Sequence, residues 1–194
     1  MTPASPLAAL HPSNTLTYAS LLAGMGAIAA ALSGNAGAAG ALIALSVIFD
    51  TFDGRFARLF QRTPQQRDLG VQLDSLSDAI AFGVAPVICV GMLSPSAALA
   101  AFAYAACAIT RLAFYNVTHE HTDGFIGLPV PVAALICSTA LLFSPRGDTA
   151  TALFAISAAA MVLPLHIPRP RGAGLAVFAC WPLVVLAGHS LNGF

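Results

Sequence analysis

The sequence predicts an all-α integral membrane bundle, and three observations carry that prediction. Hydrophobic residues make up 58% of the 194-residue chain and charged residues only 8%, whereas a soluble domain carries roughly a quarter charged residues. Apolar runs recur along nearly the whole length, each near the ~20 residues a helix needs to cross a ~30 Å hydrocarbon core. Short clusters of Pro, Gly, Ser and Asn separate these runs, as turns between helices require. Together they give six or seven transmembrane helices in a single membrane domain over residues 1–194.

Pro12-Ser13-Asn14-Thr15 opens the first span, because Ser, Asn and Thr oxygens accept the unpaired amide hydrogens of a first turn. That span runs from about Leu16 to Leu32. No basic residue precedes its apolar part, so it is expected to stay as an uncleaved span. Ser33-Gly34-Asn35 breaks the chain, and a second span from about Ala36 carries it to Phe60. Gln61 to Arg67 is polar, contains Pro64 and is expected to be a loop.

A third span covers about Asp68 to Leu93, with a local distortion at Gly83 and Pro86 where a helix hydrogen bond is missing. After Ser94-Pro95-Ser96, a fourth span extends from about Ala97 to Val117, and Thr118 to Gly127 forms a polar loop. Fifth and sixth spans cover about Leu128 to Phe143 and Thr149 to Leu165. Pro168-Arg169-Pro170-Arg171-Gly172 is a stiff basic loop, and a final apolar run ends near Leu191.

The eight basic residues are all Arg. With Gln61 to Arg67 placed in the cytoplasm, Arg55, Arg58, Arg62, Arg67, Arg111, Arg169 and Arg171 fall on that side and only Arg146 opposite, the asymmetry of the positive-inside rule. A multi-pass protein of the cell (inner) membrane is the expectation. Net charge is zero, so bulk charge gives no argument for a nucleic-acid partner. Cys89, Cys107, Cys137 and Cys180 stand singly in apolar segments, without zinc, cluster or dithiol spacing, and are expected to pack or face lipid.

Against this apolar background, five of the eight acidic residues lie between Asp50 and Asp78. At about 100° per residue, Asp50, Asp53, Gly54 and Ala57 share one helix face, and Gly70, Asp74 and Asp78 share a face of the next segment. Carboxylates arriving from two helices supply the oxygen ligands that a hard divalent cation requires, and magnesium or manganese keeps positions open for phosphate oxygens. Gly54, Ala57 and Gly70 lack bulk on the same faces, so a ligand or a facing helix can approach the backbone. Arg58, about one turn from Gly54, can pair with a phosphate in forked geometry. The alternative is simple pairing of these acids with nearby arginines at a membrane edge. Four aspartates with small residues on matching faces weigh against it.

Asp50-x-x-Asp53-Gly54-x-x-Ala57-Arg58 followed by Gly70-x-x-x-Asp74-x-x-x-Asp78 resembles the motif of the CDP-alcohol phosphatidyltransferases, with every defining residue present. The eleven residues between Arg58 and Gly70 exceed the eight or nine usual in that family. The resemblance implies that Asp50, Asp53, Asp74 and Asp78 hold two divalent metals, Mg2+ or Mn2+, against the diphosphate of a CDP-linked lipid. It further implies that Asp78 is the general base for the incoming alcohol, that Gly54 and Ala57 border the cytidine, and that Arg58 contacts a phosphate. Pro12-Ser13-Asn14-Thr15-Leu16-Thr17 is similar to the family's Pro-Asn-x-x-Thr start of the first helix, with one extra Ser, which implies a nucleotide contact by Asn14 or Thr17. A homodimer among membrane lipids is also implied.

For the acceptor, Leu73-Asp74-Ser75-Leu76-Ser77-Asp78, Phe82-Gly83-Val84-Ala85-Pro86, Arg111-Leu112-Ala113-Phe114-Tyr115-Asn116 and Phe125-Ile126-Gly127-Leu128-Pro129-Val130-Pro131 resemble the phosphatidylserine synthase branch. The resemblance implies CDP-diacylglycerol as donor and L-serine as acceptor. Each segment also has a plainer account as a kinked helix or the start of a span. Arg111 is either a ligand for the serine carboxylate or a lipid phosphate, or a topological anchor; Asn116 either bonds the same ligand or caps a helix end.

Glycerol 3-phosphate or an inositol phosphate is the competing acceptor, disfavoured by the scarcity of arginines other than Arg58 away from the loops. A membrane prenyltransferase would use acidic helices too, but has no use for Asp-Gly-x-x-Ala-Arg. A cation transporter would need no nucleotide. His119-Glu120-His121 lacks further ligands at metal spacing and is expected to be a solvated loop. His11, His166 and His189 stand near span ends, where amphipathic residues sit. Trp181, at a span start, is an interface or core aromatic.

Overall fold

The computed structural model describes residues 10–91, 95–118, 124–145, 147–168 and 173–191. They form an all-α bundle: α1 Thr15–Leu32, α2 Ala36–Ala57, α3 Pro64–Asp78, α4 Ala85–Gly91, α5 Ala98–Thr118, α6 Val130–Leu141, α7 Asp148–Val162 and α8 Ala173–Leu191. A π-helical turn, Ala79–Val84, makes α3 and α4 one continuous rod. By length and composition, Pro12–Leu32, Ala36–Ala57, Pro64–Gly91 and Ala98–Thr118 can each cross a membrane. Val130–Leu141, Asp148–Val162 and Cys180–Leu191 are shorter apolar helices.

Many small residues pack in the interior beside a few large ones such as Phe82, Tyr104 and Phe154, while many large apolar residues face outward. Ala27, Ala39, Ala44, Ala81 and Ala108 are fully buried, while Leu99 is 82% and Phe102 70% exposed. In water this arrangement would be costly; in a bilayer, lipid is as apolar as leucine, and small side chains let helix backbones approach closely.

The α1–α2 hairpin sets the register on which the acidic stretch depends. Gly34 takes φ +82°, and Asn35 caps α2 by accepting from Ala38 N at 2.9 Å. Midway along, Ser20 and Ser46 meet with their hydroxyl oxygens 2.8 Å apart. Each also donates to the other's carbonyl, at 3.1 and 2.9 Å. Such bonds between membrane helices contribute about 0.6 kcal/mol each, and here they fix which residues of α1 oppose Asp50 and Asp53.

The expected loop Gln61–Arg67 is half helix. Pro64 is the first residue of α3 rather than a loop breaker, because a missing N–H costs nothing where no intrahelical partner exists. Thr63 and Gln66 close a capping box, Gln66 N donating to Thr63 Oγ1 at 3.2 Å and Thr63 N to Gln66 Oε1 at 2.9 Å. The distortion expected near Gly83 and Pro86 takes the form of the π turn, where Tyr104 Oη donates to Phe82 O at 3.0 Å. Gly24 of α1 packs directly on this turn: a Cβ there would stand 2.7 Å from Ala81 Cα.

A two-stranded antiparallel ribbon pairs β1 Gly124–Ile126 with β2 His166–Pro168, placing the α5–α6 and α7–α8 connections side by side. No periodicity announced this ribbon, since three-residue strands pair through tertiary proximity. His119, Glu120, His121, Asp123, Arg146, Arg169 and Arg171 lie outside the described residues. His189 departs from its expected interfacial place. It is buried, its Nε2 donating to Ser138 O at 2.9 Å, and its ring occupies the notch at Gly40. Trp181 Nε1 donates to Thr139 Oγ1 at 3.2 Å and the ring packs against the core. Cys89 and Cys137 are buried, Cys107 half-buried and Cys180 exposed, all as free thiols.

Candidate active site

The antiparallel α1–α2 pair presents the first two acids and the α3 rod the second two. Asp50, Asp74 and Asp78 converge, each offering a carboxylate oxygen within 4.8 Å of the others. Asp53 stands beside Asp74 but outside that triplet, and its Oδ2 accepts a hydrogen bond from Thr17 Oγ1 at 3.0 Å. The expected four-Asp cage is therefore a triplet plus a fourth carboxylate oriented by the first helix.

Whether a divalent cation suits this cluster is tested by its unmet hydrogen-bonding capacity. Among the described residues no ion pair ties the four acids to an arginine, so simple salt-bridging does not account for them. Asp74 Oδ1 is buried without a hydrogen-bond partner. An orphaned carboxylate oxygen amid two further carboxylates, in an apolar bundle, is a costly arrangement that a hard cation relieves. The oxygen-only donor set fits a hard divalent cation, the class to which Mg2+, Mn2+ and Ca2+ belong.

A cavity of about 240 Å³ opens beside Asp53 and Asp74. Its wall includes Asn14, Thr17, Gly54, Ala57 and Arg58, five residues singled out from the sequence, together with Gly70. Gly54 has open space where a Cβ would be. Asn14 begins α1 without capping it through its side chain; it is 3% exposed and accepts from Ser13 Oγ at 3.2 Å. The N-capping role expected of this stretch is thus not what Asn14's side chain does, which leaves it on the cavity wall. Sequence reasoning missed Ser13, Val71 and Arg62 as wall residues. Arg62 falls in the expected loop Gln61–Arg67, and no motif position marks it.

Arg111 and Asn116 lie apart from this cavity. Arg111 is buried, its Nη2 donating to Ile126 O and Gly127 O, both at 3.3 Å, with its guanidinium 4.5 Å from the Tyr115 ring centroid. Tyr115 Oη also donates to Ile126 O at 3.0 Å and accepts from Ile126 N at 2.7 Å. These bonds anchor the turn at Gly127, whose φ is +72°. Yet Arg111 Nε remains buried and unpartnered. Asn116 Oδ1 accepts from Ser75 Oγ at 3.0 Å, tying α5 to the helix of Asp74 and Asp78. Ser75 and Asn116 line a groove of about 370 Å³ between α3 and α5.

A family model described as CDP-alcohol phosphatidyltransferase matches residues 10–167, which leaves α8 outside the match. The chain is similar to the CDP-diacylglycerol–serine O-phosphatidyltransferase of Mycobacterium tuberculosis, with 39% identity over 135 residues, covering 63% of this chain and 46% of that protein. It is 33% identical over 138 residues to the enzyme of the same name from Bacillus subtilis, covering 66% and 73%. With the archaetidylserine synthase of Methanothermobacter thermautotrophicus it shares 36% identity over 153 residues, covering 74% and 63%. The matched segment spans about half the length of the mycobacterial relatives.

Proposed function

The chain belongs to the CDP-alcohol phosphatidyltransferase family, and on that footing we propose that it transfers the phosphatidyl group of CDP-diacylglycerol to L-serine, releasing CMP. The observation that carries this is the convergence of Asp50, Asp74 and Asp78 beside a cavity walled by Asn14, Thr17, Gly54, Ala57 and Arg58. Asp50, Asp53, Asp74 and Asp78 would hold Mg2+ or Mn2+. When bound, such ions offset the negative charge of the diphosphate and of the departing CMP.

The chain's own residues do the rest. Thr17 orients Asp53, and Arg58 at the cavity rim offers a phosphate a forked partner. Asp78, 7% exposed, takes the proton from the serine hydroxyl, which is a poor nucleophile while protonated. The serine oxygen bonds to the lipid-side phosphorus as that phosphorus parts from the bridging oxygen, and CMP leaves. Holding the hydroxyl and the phosphorus together contributes much of the rate, because a carboxylate is a weak base.

Serine as acceptor is supported by the names of the relatives and by Arg111, whose unpartnered Nε leaves a buried cationic donor for a carboxylate. Asn116 stands on the same helix as a second candidate acceptor contact. The cluster of Arg55, Arg58, Arg62 and Arg67 near the acids supports a cytoplasmic active site, in the inner membrane of a cell. We further propose a homodimer in which residues 1–194 act as one membrane domain.

The test supplies the purified protein with CDP-diacylglycerol, Mn2+ or Mg2+ and a panel of alcohols, and measures CMP release. Serine should give CMP and the Asp78→Asn variant should not. If no alcohol exceeds the Asp78→Asn background, the transferase proposal fails. Turnover with glycerol 3-phosphate or an inositol phosphate but not with serine would refute the acceptor.

A further inference from the structure

Arg58 and Gly70 are separated by eleven residues, and these are divided between a short connection and the first turns of α3. That connection is pinned on both sides of Arg62. On one side Phe60 packs edge-on against Phe56 at 5.2 Å and against His11 at 6.0 Å between ring centroids. On the other, Thr63 is fixed by its capping box and Pro64 by its ring.

Between these anchors the Arg62 side chain folds back along α3. Its Nη1 lies 3.4 Å from where a Cβ on Gly70 would stand, and Asn14 Oδ1 lies at the same distance from that point. Gly70 is seven residues beyond Thr63, about 10 Å along the helix axis, a reach that calls for a long side chain. Arg62 is also the more buried of the two arginines on the cavity wall; Arg58 is exposed.

The cavity wall therefore carries charge of both signs, Asp53 and Asp74 together with Arg58 and Arg62. Among the described residues neither arginine is neutralised by an ion pair. With divalent cations offsetting the carboxylates, the charge of a bound diphosphate has these two guanidinium groups as its partners. An arginine matches adjacent phosphate oxygens with a planar fork, which a lysine's point charge does not.

We infer that Arg62 is a second phosphate-binding arginine for the nucleoside diphosphate of the donor, folded over the cavity from the α2–α3 connection beside Gly70 and Asn14. The inference rests on the cavity being the donor site. The longer connection is then what gives Arg62 its place, and Gly70 leaves the room that the guanidinium and the Asn14 amide occupy.

The experiment uses the full chain in detergent with Mn2+, and CDP and CMP as probes, read by calorimetry alongside turnover of CDP-diacylglycerol. Arg62→Gln should weaken CDP binding about tenfold or more, the loss expected for a charge-assisted hydrogen bond. CMP, which lacks the second phosphate, should be affected less. Arg62→Lys should recover part of the loss, and the KM for serine should stay within twofold of wild type. CDP binding unchanged in Arg62→Gln would overturn the inference, as would equal losses for CDP and CMP. A wild-type protein that binds CDP but releases no CMP from the lipid refutes the transferase reading while the Arg62 comparison still stands. A wild-type protein that binds no CDP refutes both.

Discussion

Thr17 Oγ1 donates to Asp53 Oδ2 at 3.0 Å, joining the first helix to the second of the four acids. Thr17 is 6% exposed, so the donor is shielded from water while the half-buried carboxylate it holds stands on the cavity wall. Thr17→Val keeps the shape and removes the donor. Donor kcat/KM should fall about tenfold or more, corresponding to the ~1.5–3 kcal/mol of a hydrogen bond to a charged group, and Thr17→Ser should retain most of it. Equal CMP-release rates for Thr17→Val and wild type would mean that the bond does not position Asp53.

Arg111 divides its donors between a turn and an orphaned Nε. Replacing a stacked, forked guanidinium by an ammonium is not conservative, so Arg111→Lys should raise the KM for serine at least about tenfold with little change for CDP-diacylglycerol. A lower melting temperature with an unchanged serine KM would instead reduce Arg111 to a clamp on the Gly127 turn.

The Asp50, Asp74 and Asp78 triplet should be inert without its cation. Chelation is expected to abolish CMP release, and added Mn2+ or Mg2+ to restore it. Asp50→Ala should weaken metal-dependent binding of CDP-lipid about tenfold or more, since a carboxylate ligand carries both charge and geometry. Binding that survives Asp50→Ala at full strength would remove Asp50 from the cage.

His189 seats its ring in the notch left by Gly40 and bonds the Ser138 carbonyl, while Ser138 Oγ donates to Gly40 O at 2.7 Å. Three helices, α2, α6 and α8, meet there. Gly40 lies ten residues before Asp50, about 15 Å along α2, so the contact acts on stability rather than chemistry. His189→Ala and Gly40→Ala should each cost about 1–3 kcal/mol, the first through a cavity and a lost bond, the second through a clash. A thermal melt in detergent reads both. Unchanged midpoints would show that α8 docks by other contacts.

Much of the molecule was legible because helical geometry is local. The i, i+3 spacing of Asp50 and Asp53, and the i, i+4 spacing of Asp74 and Asp78, place each pair on one helix face whatever surrounds it. Apolar runs of membrane length announce four spans in the same way, whereas the later runs expected to span form shorter apolar helices among the described residues. Pro64 is ambiguous in the sequence because a proline breaks a helix interior but suits a first turn, and the Thr63–Gln66 capping box places it in the first turn of α3.

By itself, the sequence determined the bundle, the two acidic faces and the family motif, all properties of residues within a few turns of one another. Only the tertiary structure decided that Asp53 is held by Thr17 outside the triplet, and that Arg62 folds back over Gly70. It also decided that His189 is buried against Gly40, and that β1 pairs with β2. Each of these depends on where a distant helix or a loop comes to rest. Periodicity fixes the direction of a side chain from its own axis but not what it meets.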